Sequence, residues 1–285
     1  MRSIASDDIT HSRSCCAHHL GPAARGGRRA ADGPAALLWP SLFSDGETSW
    51  GTQLEGLHEL GWRTLLVDPP GTGGSEPASR RFTMAECAEA TIQILDAASV
   101  DRAAILGLSW GGFVGLRLAL AAPQRVTALV LSNTSARRST FVERQRGRLF
   151  AGLVRIGIPG GRGRLVVGAM ASDHTRRHNT AFVTRFAAGA DKLDKAGLIR
   201  AMWSVDVNSK SVVDALDRIG APTLVIAGAE DHVFPHAHSQ ELVDRIPGAR
   251  LEVLPDVAHL APAEAPTAVA ALLKLFLAPE GTHTS

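Results

Sequence analysis

The stretch Gly107-Leu-Ser109-Trp-Gly111 decides the fold of this 285-residue chain because of what stands on either side of it. The run before it, Ala103-Ala-Ile-Leu106, predicts a short buried strand, and the apolar run from Gly112 to Ala121 predicts a helix. A G-x-S-x-G sequence between a strand and a helix predicts a turn so tight that its serine is strained and its hydroxyl exposed. Side chains in place of the glycines would collide with the neighbouring strand and helix. Ser109 is therefore the candidate nucleophile.

An acid and a base follow Ser109 in the chain order that such a turn requires. One apolar, strand-like run leads into a loop that carries Asp231, with Glu230 as the competing carboxylate. The last predicted strand leads into a loop that carries His259, the one histidine of the eleven that lies in the loop directly after that strand. Ligands of open α/β sheets bind beyond the carboxyl ends of the strands, so we expect these three residues to meet at one site.

The loop Asp68-Pro-Pro-Gly-Thr-Gly-Gly-Ser75 follows another predicted strand. Together with the serine turn, Asp231 and His259, this loop makes the chain resemble the α/β-hydrolase family from about Pro34 to about Leu277. The resemblance implies an α/β fold with a mostly parallel central sheet flanked by helices, and a Ser-His-Asp triad. It does not identify a substrate, because this fold hosts many chemistries.

The turn after the first predicted strand departs from the family pattern. Where members of the family carry a His-Gly pair, this chain has Pro40-Ser41, and proline has no N–H to donate. By register the backbone donor of the oxyanion hole becomes Leu42, with Ser41 as the fallback. The second donor is Trp110, the residue after the nucleophile.

This departure restricts the resemblance to a smaller group within the family. The turn Pro40-Ser-Leu-Phe-Ser-Asp45 is similar to the Asn-Ser-Leu-Gly-Thr-Asp turn of 3-oxoadipate enol-lactonases, and Leu131-Ser-Asn-Thr-Ser-Ala136 is similar to a stretch of theirs. The narrower resemblance implies a small acidic lactone as the substrate.

An arginine directed into the site would support binding of an acidic lactone. Residues 136–185 contain 11 Arg against only two acidic residues, and a guanidinium pairs favourably with a carboxylate. Arg137 and Arg138 are the candidates because they lie nearest the end of a strand. A solvated basic face is the competing interpretation. Phe43, Trp110 and Trp203 are candidates for lining the pocket, with core packing as the alternative for Trp203.

The spacing of apolar runs predicts how the chain is divided. Strands are expected at 35–39, 63–67, 103–108, 126–131, 222–227 and 250–254, and helices near 47–60, 83–98, 111–121, 236–246 and 263–277. The hydrolase core is expected at 34–135 and 211–278, a helical cap at 136–210 and a tail at 279–285. Family members open with a two-stranded hairpin, but residues 1–33 show no strand period. We therefore expect a disordered or loosely packed lead-in and no well-formed edge strands there.

The composition predicts a cytoplasmic protein. No apolar run reaches the roughly 18 residues that span a bilayer, and the N-terminus lacks a secretory signal. Three cysteines make no disulfide framework. His232, His236 and His238 have no spacing that forces them onto a metal, so we expect no metal and no cofactor. No aromatic-interleaved basic pattern indicates nucleic acid. We expect a monomer or homodimer with no membrane partner.

These features together predict a serine hydrolase that cleaves a small-molecule carboxylic ester or lactone through an acyl-enzyme. A 3-oxoadipate enol-lactonase-like hydrolase is the sharper alternative within that class. The alternative from another class is a receptor-like protein of the same fold that binds a ligand without hydrolysing it.

Overall fold

The computed structural model describes residues 33–157 and 161–278, together with the backbone of two short strands before them. The strands in this part of the chain are β1 (His11–Ser12), β2 (Ala23–Gly26), β3 (Ala35–Trp39), β4 (Arg63–Asp68), β5 (Ala103–Leu108), β6 (Val126–Ser132), β7 (Thr223–Gly228) and β8 (Arg250–Leu254). The six strands predicted from the sequence agree with β3 to β8 within one residue at each end.

Helices alternate with these strands. The α-helices in the described residues are α1 (Gly46–Trp50), α2 (Leu54–Glu59), α3 (Met84–Ala97), α4 (Trp110–Ala121), α5 (Phe141–Ile156), α6 (Arg162–Met170), α7 (Asp173–His178), α8 (Thr180–Lys192), α9 (Lys195–Met202), α10 (His236–Arg245), α11 (Ala261–Glu264) and α12 (Pro266–Leu277). Short 3₁₀ turns lie at Gly51–Gln53, Pro123–Arg125 and Val213–Arg218, and a π-helical turn lies at Trp203–Val207.

Two of the predicted helices are interrupted in the structure. The helix expected near 47–60 is divided into α1 and α2 by the 3₁₀ turn at Gly51–Gln53. The helix expected at 263–277 is divided into α11 and α12 at Ala265, because Pro266 has no N–H for the helical ladder. The helix expected at 83–98 is observed as α3, and Thr83 and Glu86 close its first turn as a reciprocal capping box.

The strands form one sheet in the order β1-β2-β4-β3-β5-β6-β7-β8. Strands β3 to β8 pair in parallel, which confirms the predicted mostly parallel sheet. Successive side chains point to opposite faces, so the sheet separates two apolar clusters. Leu37 and Ile105 belong to one cluster, and Leu38 and Leu106 to the other. Strand β8 is an exposed edge, where 42% of Val253 is accessible to solvent.

The prediction that the opening hairpin is missing was wrong. Strands β1 and β2 pair antiparallel with each other, and β2 pairs antiparallel with β4 along the register Ala23–Asp68 to Gly26–Leu65. Strands of two and four residues are too short to show a period of two, and Ala and Gly have low strand propensity. Backbone pairing with β4 therefore forms this edge without a sequence signal. The other residues of the expected lead-in, before residue 33, and the expected tail at 279–285 lie outside the described residues.

Helices α5 to α9, which we term the cap helices, all lie between β6 and β7. They contact the elements that carry the candidate site residues. The ring of Phe150 in α5 packs edge-on against Phe43 at 5.9 Å between centroids. The carbonyl oxygen of Met170, at the end of α6, accepts a hydrogen bond from the backbone N–H of His259 at 2.9 Å. The cap helices therefore pack on the carboxyl edge of the sheet.

Candidate active site

Ser109 lies in a strained turn between β5 and α4. Its backbone has φ 54° and ψ −106°, a conformation that a non-glycine residue rarely adopts. The turn is held because the Ser109 N–H donates to the carbonyl oxygen of Ser132 at 2.8 Å, and the hydroxyl of Thr134 donates to the Ser109 carbonyl at 2.7 Å. Both partners come from β6 and its following loop, so the neighbouring strand fixes the serine.

Two glycines make this turn possible. A Cβ atom on Gly107 would lie 2.3 Å from the carbonyl group of Gly111, and one on Gly111 would lie 2.2 Å from the carbonyl oxygen of Trp39. Both distances are far shorter than any van der Waals contact. The glycine spacing predicted from the sequence is therefore required by backbone packing between β3, β5 and α4.

Ser109, His259 and Asp231 form a continuous hydrogen-bonded chain. The Oγ of Ser109 lies 2.8 Å from Nε2 of His259, and Nδ1 of His259 lies 2.9 Å from Oδ2 of Asp231. A carboxylate only accepts, so Nδ1 carries the proton and Nε2 is free to accept from the serine hydroxyl. All three residues are buried, with 1% of His259 accessible. The structure thus brings the three predicted residues together.

The loops that carry Asp231 and His259 are joined through their backbones. The N–H of Glu230 donates to the carbonyl of Val257 at 2.8 Å, and that of Ala229 donates to Leu254 at 2.9 Å. Glu230, the competing carboxylate, makes no side-chain hydrogen bond to His259. Because each loop follows one of the paired strands β7 and β8, the sheet sets the spacing between acid and base.

Four donors surround the carboxylate of Asp231. Its Oδ1 accepts from the backbone N–H groups of Val233 at 2.8 Å and Phe234 at 3.0 Å. Its Oδ2 accepts from His259 and, at 3.0 Å, from Nδ2 of Asn133. Burial acts to raise the pKa of Asp231, but the charge of His259 and these hydrogen bonds together hold that pKa below its ordinary value. Asp231 is therefore an anion beside the imidazole.

Asn133 is a residue of this site to which sequence reasoning assigned no role. It lies directly after β6 with φ 48°, and its Nδ2 donates both to Asp231 and to the carbonyl of Ala258 at 2.8 Å. Its Oδ1 accepts from the hydroxyl of Ser132. The sequence of Leu131–Ala136 indicates only a similarity to enol-lactonases. The signal that could have identified Asn133 is its position directly after a parallel strand, where polar residues face the site.

The turn after β3 and the first residue of α4 each present one backbone N–H group without an acceptor among the described residues. Neither Leu42 nor Trp110 has an acceptor for its N–H in the part of the chain that the structure describes. The N–H of Ser41, the fallback donor, points at the Oγ of Ser49 at 3.4 Å. Leu42, Trp110 and Phe43 line one small cavity, and Phe43 has φ 71°. This geometry favours Leu42 over Ser41 as the partner of Trp110.

The two candidate arginines are not directed into the site. Arg137 makes an ion pair with Glu241 of α10, and its side chain is 56% accessible. Arg138 is exposed. The expectation that either binds a substrate carboxylate is corrected, because the chain leaving β6 runs towards α10 at the surface.

Trp203 is also placed differently from the expectation. The guanidinium of Arg81 lies 4.3 Å from the centroid of its ring, and that of Arg148 lies 5.5 Å from it. Trp203 does not line the described cavities. Its role is cation–π packing between α5 and the loop before α3.

The described ranges contain no group of three or more His, Cys, Asp or Glu that could hold a metal ion. Of the three histidines considered for such a site, His238 instead bonds through Nδ1 to the hydroxyl of Ser135 at 2.8 Å. Within residues 33–157 and 161–278 we find no helix with the length and apolar character of a transmembrane span.

Comparison with known proteins shows what this chain is similar to. Residues 37–266 match a family model described as the alpha/beta hydrolase fold. A relative in Variovorax paradoxus that is named as a carbamate hydrolase is 32% identical over 80% of this chain and 86% of its own length. A 3-oxoadipate enol-lactonase of Acinetobacter baylyi is 28% identical over 86% of this chain and 91% of its own.

Solved structures agree with these matches. A hydrolase from Pseudomonas aeruginosa superposes with a TM-score of 0.81 at 32% identity, covering 91% of this chain and 95% of its own. The enol-lactonase from Burkholderia xenovorans superposes with a TM-score of 0.81 at 25% identity, covering 91% and 97%. The matches therefore extend over both the sheet and the cap helices.

Proposed function

Because the chain belongs to the α/β-hydrolase family, we propose that it is a serine hydrolase that cleaves a carboxylic ester or lactone. The observation that carries the proposal is the hydrogen-bonded chain from Asp231 through His259 to Ser109. A buried serine needs no such chain for packing, whereas a nucleophile needs a base within hydrogen-bond reach and a third group that orients the base.

In the proposed mechanism Ser109 attacks the substrate carbonyl while His259 takes its proton at Nε2. The imidazolium that forms is stabilised by the Asp231 carboxylate, 2.9 Å away. His259 then gives the proton to the leaving alcohol, and an acyl-enzyme forms on Ser109. Water, deprotonated by His259, releases the acid and restores the serine.

The negative charge that develops on the carbonyl oxygen of the substrate requires hydrogen-bond donors to stabilise it. The N–H groups of Leu42 and Trp110 are suited to this role, since neither is used by a described residue. Each such donor is worth about 3 to 4 kcal/mol in the transition state. Two donors thus remain although the chain lacks the His-Gly pair: Leu42 in the turn after β3 and Trp110 at the start of α4.

An enol-lactonase activity is the second candidate. It is favoured by the Acinetobacter relative and the Burkholderia structure, which cover most of this chain. The orientation of Arg137 and Arg138 removes the feature that was expected to bind an acidic lactone. We therefore rank a general ester or lactone hydrolase above it.

The first test is labelling with a fluorophosphonate, followed by location of the adduct by mass spectrometry. The wild type should carry one adduct on Ser109, and Ser109→Ala should carry none. Ser99→Ala is the matched control, because Ser99 also has a positive φ of 53° but has no histidine partner. It should label like the wild type. A folded wild-type protein that takes up no label would refute the proposed nucleophile and favour the receptor-like alternative.

A further inference from the structure

One carboxyl group of the described cap region faces a cavity that the proposed mechanism does not use. Asp206 lies in the π-helical turn Trp203–Val207, which follows α9 and packs against α5. It lines a cavity of about 300 Å³ between this turn, α5 and the loop after Asp231. Phe113, Glu143, Arg146, His232 and Phe234 also line it.

The carboxyl of Asp206 has no partner among the residues that the structure describes. Within the described ranges it makes no hydrogen bond and no ion pair, although most of its surface is buried. Burial raises the pKa of Asp206 to about 7, and the charge of His259 acts in the opposite direction. A partly buried carboxyl without a protein partner is incompletely solvated, so this one is suited to a partner that arrives from outside the chain.

The other charged residues of the cavity are differently placed. Glu143 closes the first turn of α5, where its Oε2 accepts from the N–H of Thr140. Arg146 and His232 are exposed, so their heads can remain in solvent. The remaining walls are largely apolar and include Phe113 and Phe234. Asp206 is thus the lining carboxyl left free to bind an incoming group.

The cavity shares a wall with the candidate active site. The ring of Phe234 lies 5.6 Å from the ring of His259, and the backbone N–H of Phe234 donates to Asp231. Phe113 packs edge-on against Phe234 and follows the serine turn in α4. Phe234 therefore borders both sites, and a substrate bound at Ser109 has to extend past this ring to reach Asp206.

We propose that Asp206 binds a protonated amine of the substrate, so that the preferred substrates are esters or lactones that carry an ammonium group. This inference rests on the proposed hydrolase function. A carboxylate in an apolar cavity forms a strong charge-assisted hydrogen bond with an ammonium. The same carboxylate repels the carboxylate of an acidic lactone, which argues against an enol-lactonase substrate.

The test compares p-nitrophenyl esters whose acyl chains match in length. The chains are 6-ammoniohexanoyl, heptanoyl and pimeloyl, which end in a cation, a methyl group and an anion and are too long to cyclise readily onto the ester carbonyl. In a second series the cationic, methyl and anionic ends are carried by the alcohol part of the ester instead of the acyl part. This series is needed because His259 acts on both parts, so the triad does not determine which of them extends towards Asp206. We expect kcat/KM of the wild type to favour the ammonium ester over the neutral ester by about 10-fold or more in one series.

Asp206→Asn keeps the shape of the side chain and removes its charge. It should reduce that preference to within about twofold and leave kcat/KM for the neutral ester within about threefold. Glu143→Gln is the matched control on the same cavity, since glutamine also serves in a capping box. It should retain the preference. Absence of the preference in both series, or its persistence in Asp206→Asn, would overturn the inference.

A binding measurement separates this inference from the proposed function. Thermal-shift titrations with pentylammonium and with 1-pentanol need no turnover. The wild type should be stabilised by pentylammonium in preference to pentanol, and Asp206→Asn should lose that difference. If Ser109 is labelled and neutral esters are cleaved but neither cation preference appears, only the ammonium site is refuted. If the cation is bound but no ester is cleaved, the hydrolase function is refuted.

Discussion

Replacing Asp231 by asparagine should disable the candidate triad while preserving its shape. Oδ1 of Asp231 accepts from the N–H groups of Val233 and Phe234, and Oδ2 accepts from His259 and Asn133. The amide of an Asp231→Asn variant must turn its NH₂ towards one of these pairs of donors. If the NH₂ faced Val233 and Phe234, the hydrogen bonds from these two backbone N–H groups would be lost, and neither N–H can become an acceptor. The NH₂ should therefore turn towards His259, whose tautomer can change.

This orientation places the imidazole in the wrong tautomer. Nδ1 of His259 would accept from the new amide, so the proton would lie on Nε2, which then cannot take the proton of Ser109. The variant also loses the carboxylate that faces the imidazolium at 2.9 Å. With an effective dielectric constant of about 20, that attraction is about 6 kcal/mol, or roughly four powers of ten in rate.

The assay is kcat/KM for a p-nitrophenyl ester, together with the second-order rate of fluorophosphonate labelling at Ser109. Both should fall by about 10³- to 10⁴-fold in Asp231→Asn, with an unchanged circular dichroism spectrum. Glu230→Gln is the matched control, since Glu230 is the neighbouring carboxylate and should leave both rates near those of the wild type. A loss smaller than about tenfold in Asp231→Asn would refute this assignment of the acid.

Further predictions address the surroundings of the triad. Asn133→Ala removes the amide that donates to both the acid and the histidine loop, and should lower kcat/KM by about 10- to 100-fold and urea stability by about 2 to 3 kcal/mol. Gly111→Ala places a methyl group 2.2 Å from a carbonyl oxygen of β3 and should lower the melting temperature strongly. Gly56→Ala in α2, with nothing within 4 Å, should instead maintain or raise it. Arg137→Gln should leave hydrolysis of an acidic lactone unchanged and alter stability by less than about 0.5 kcal/mol, because its ion pair is exposed. A fall in lactone turnover would restore the arginine hypothesis. Below about pH 4, urea stability of the wild type should fall as Asp231 is protonated, because its lowered pKa stabilises the fold only above that range. A wild type and an Asp231→Asn variant with the same acid dependence would contradict this.

Local sequence determined the central sheet and the three residues at its edge. Strands β3 to β7 are largely runs of apolar residues that predict buried strands without knowledge of the rest of the chain, whereas β8 alternates polar and apolar residues at the sheet edge. Ser109, Asp231 and His259 each follow such a strand. Because parallel strands end at one edge of a sheet, residues far apart in sequence could be expected to meet there.

The tertiary structure decided the features that depend on contacts between distant residues. Strands β1 and β2 form through backbone pairing with β4, which no side-chain pattern records. The direction of Arg137 depends on Glu241, more than one hundred residues later in the chain. Composition therefore predicted a basic cap but could not predict which way its arginines point.

Asn133 and Asp206 show most clearly which features the sequence determined and which the tertiary structure decided. In the sequence Asn133 is marked only by its place directly after a predicted strand, and no motif distinguishes Asp206 from other Asp residues. Asn133 gains its role because β6 ends beside the loops of Asp231 and His259. Asp206 gains its environment because the π-helical turn packs against α5 and leaves the carboxyl lining a cavity that Phe234 also lines. Sequence thus determined which residues could perform the chemistry, whereas packing over long sequence separations decided which polar groups surround it.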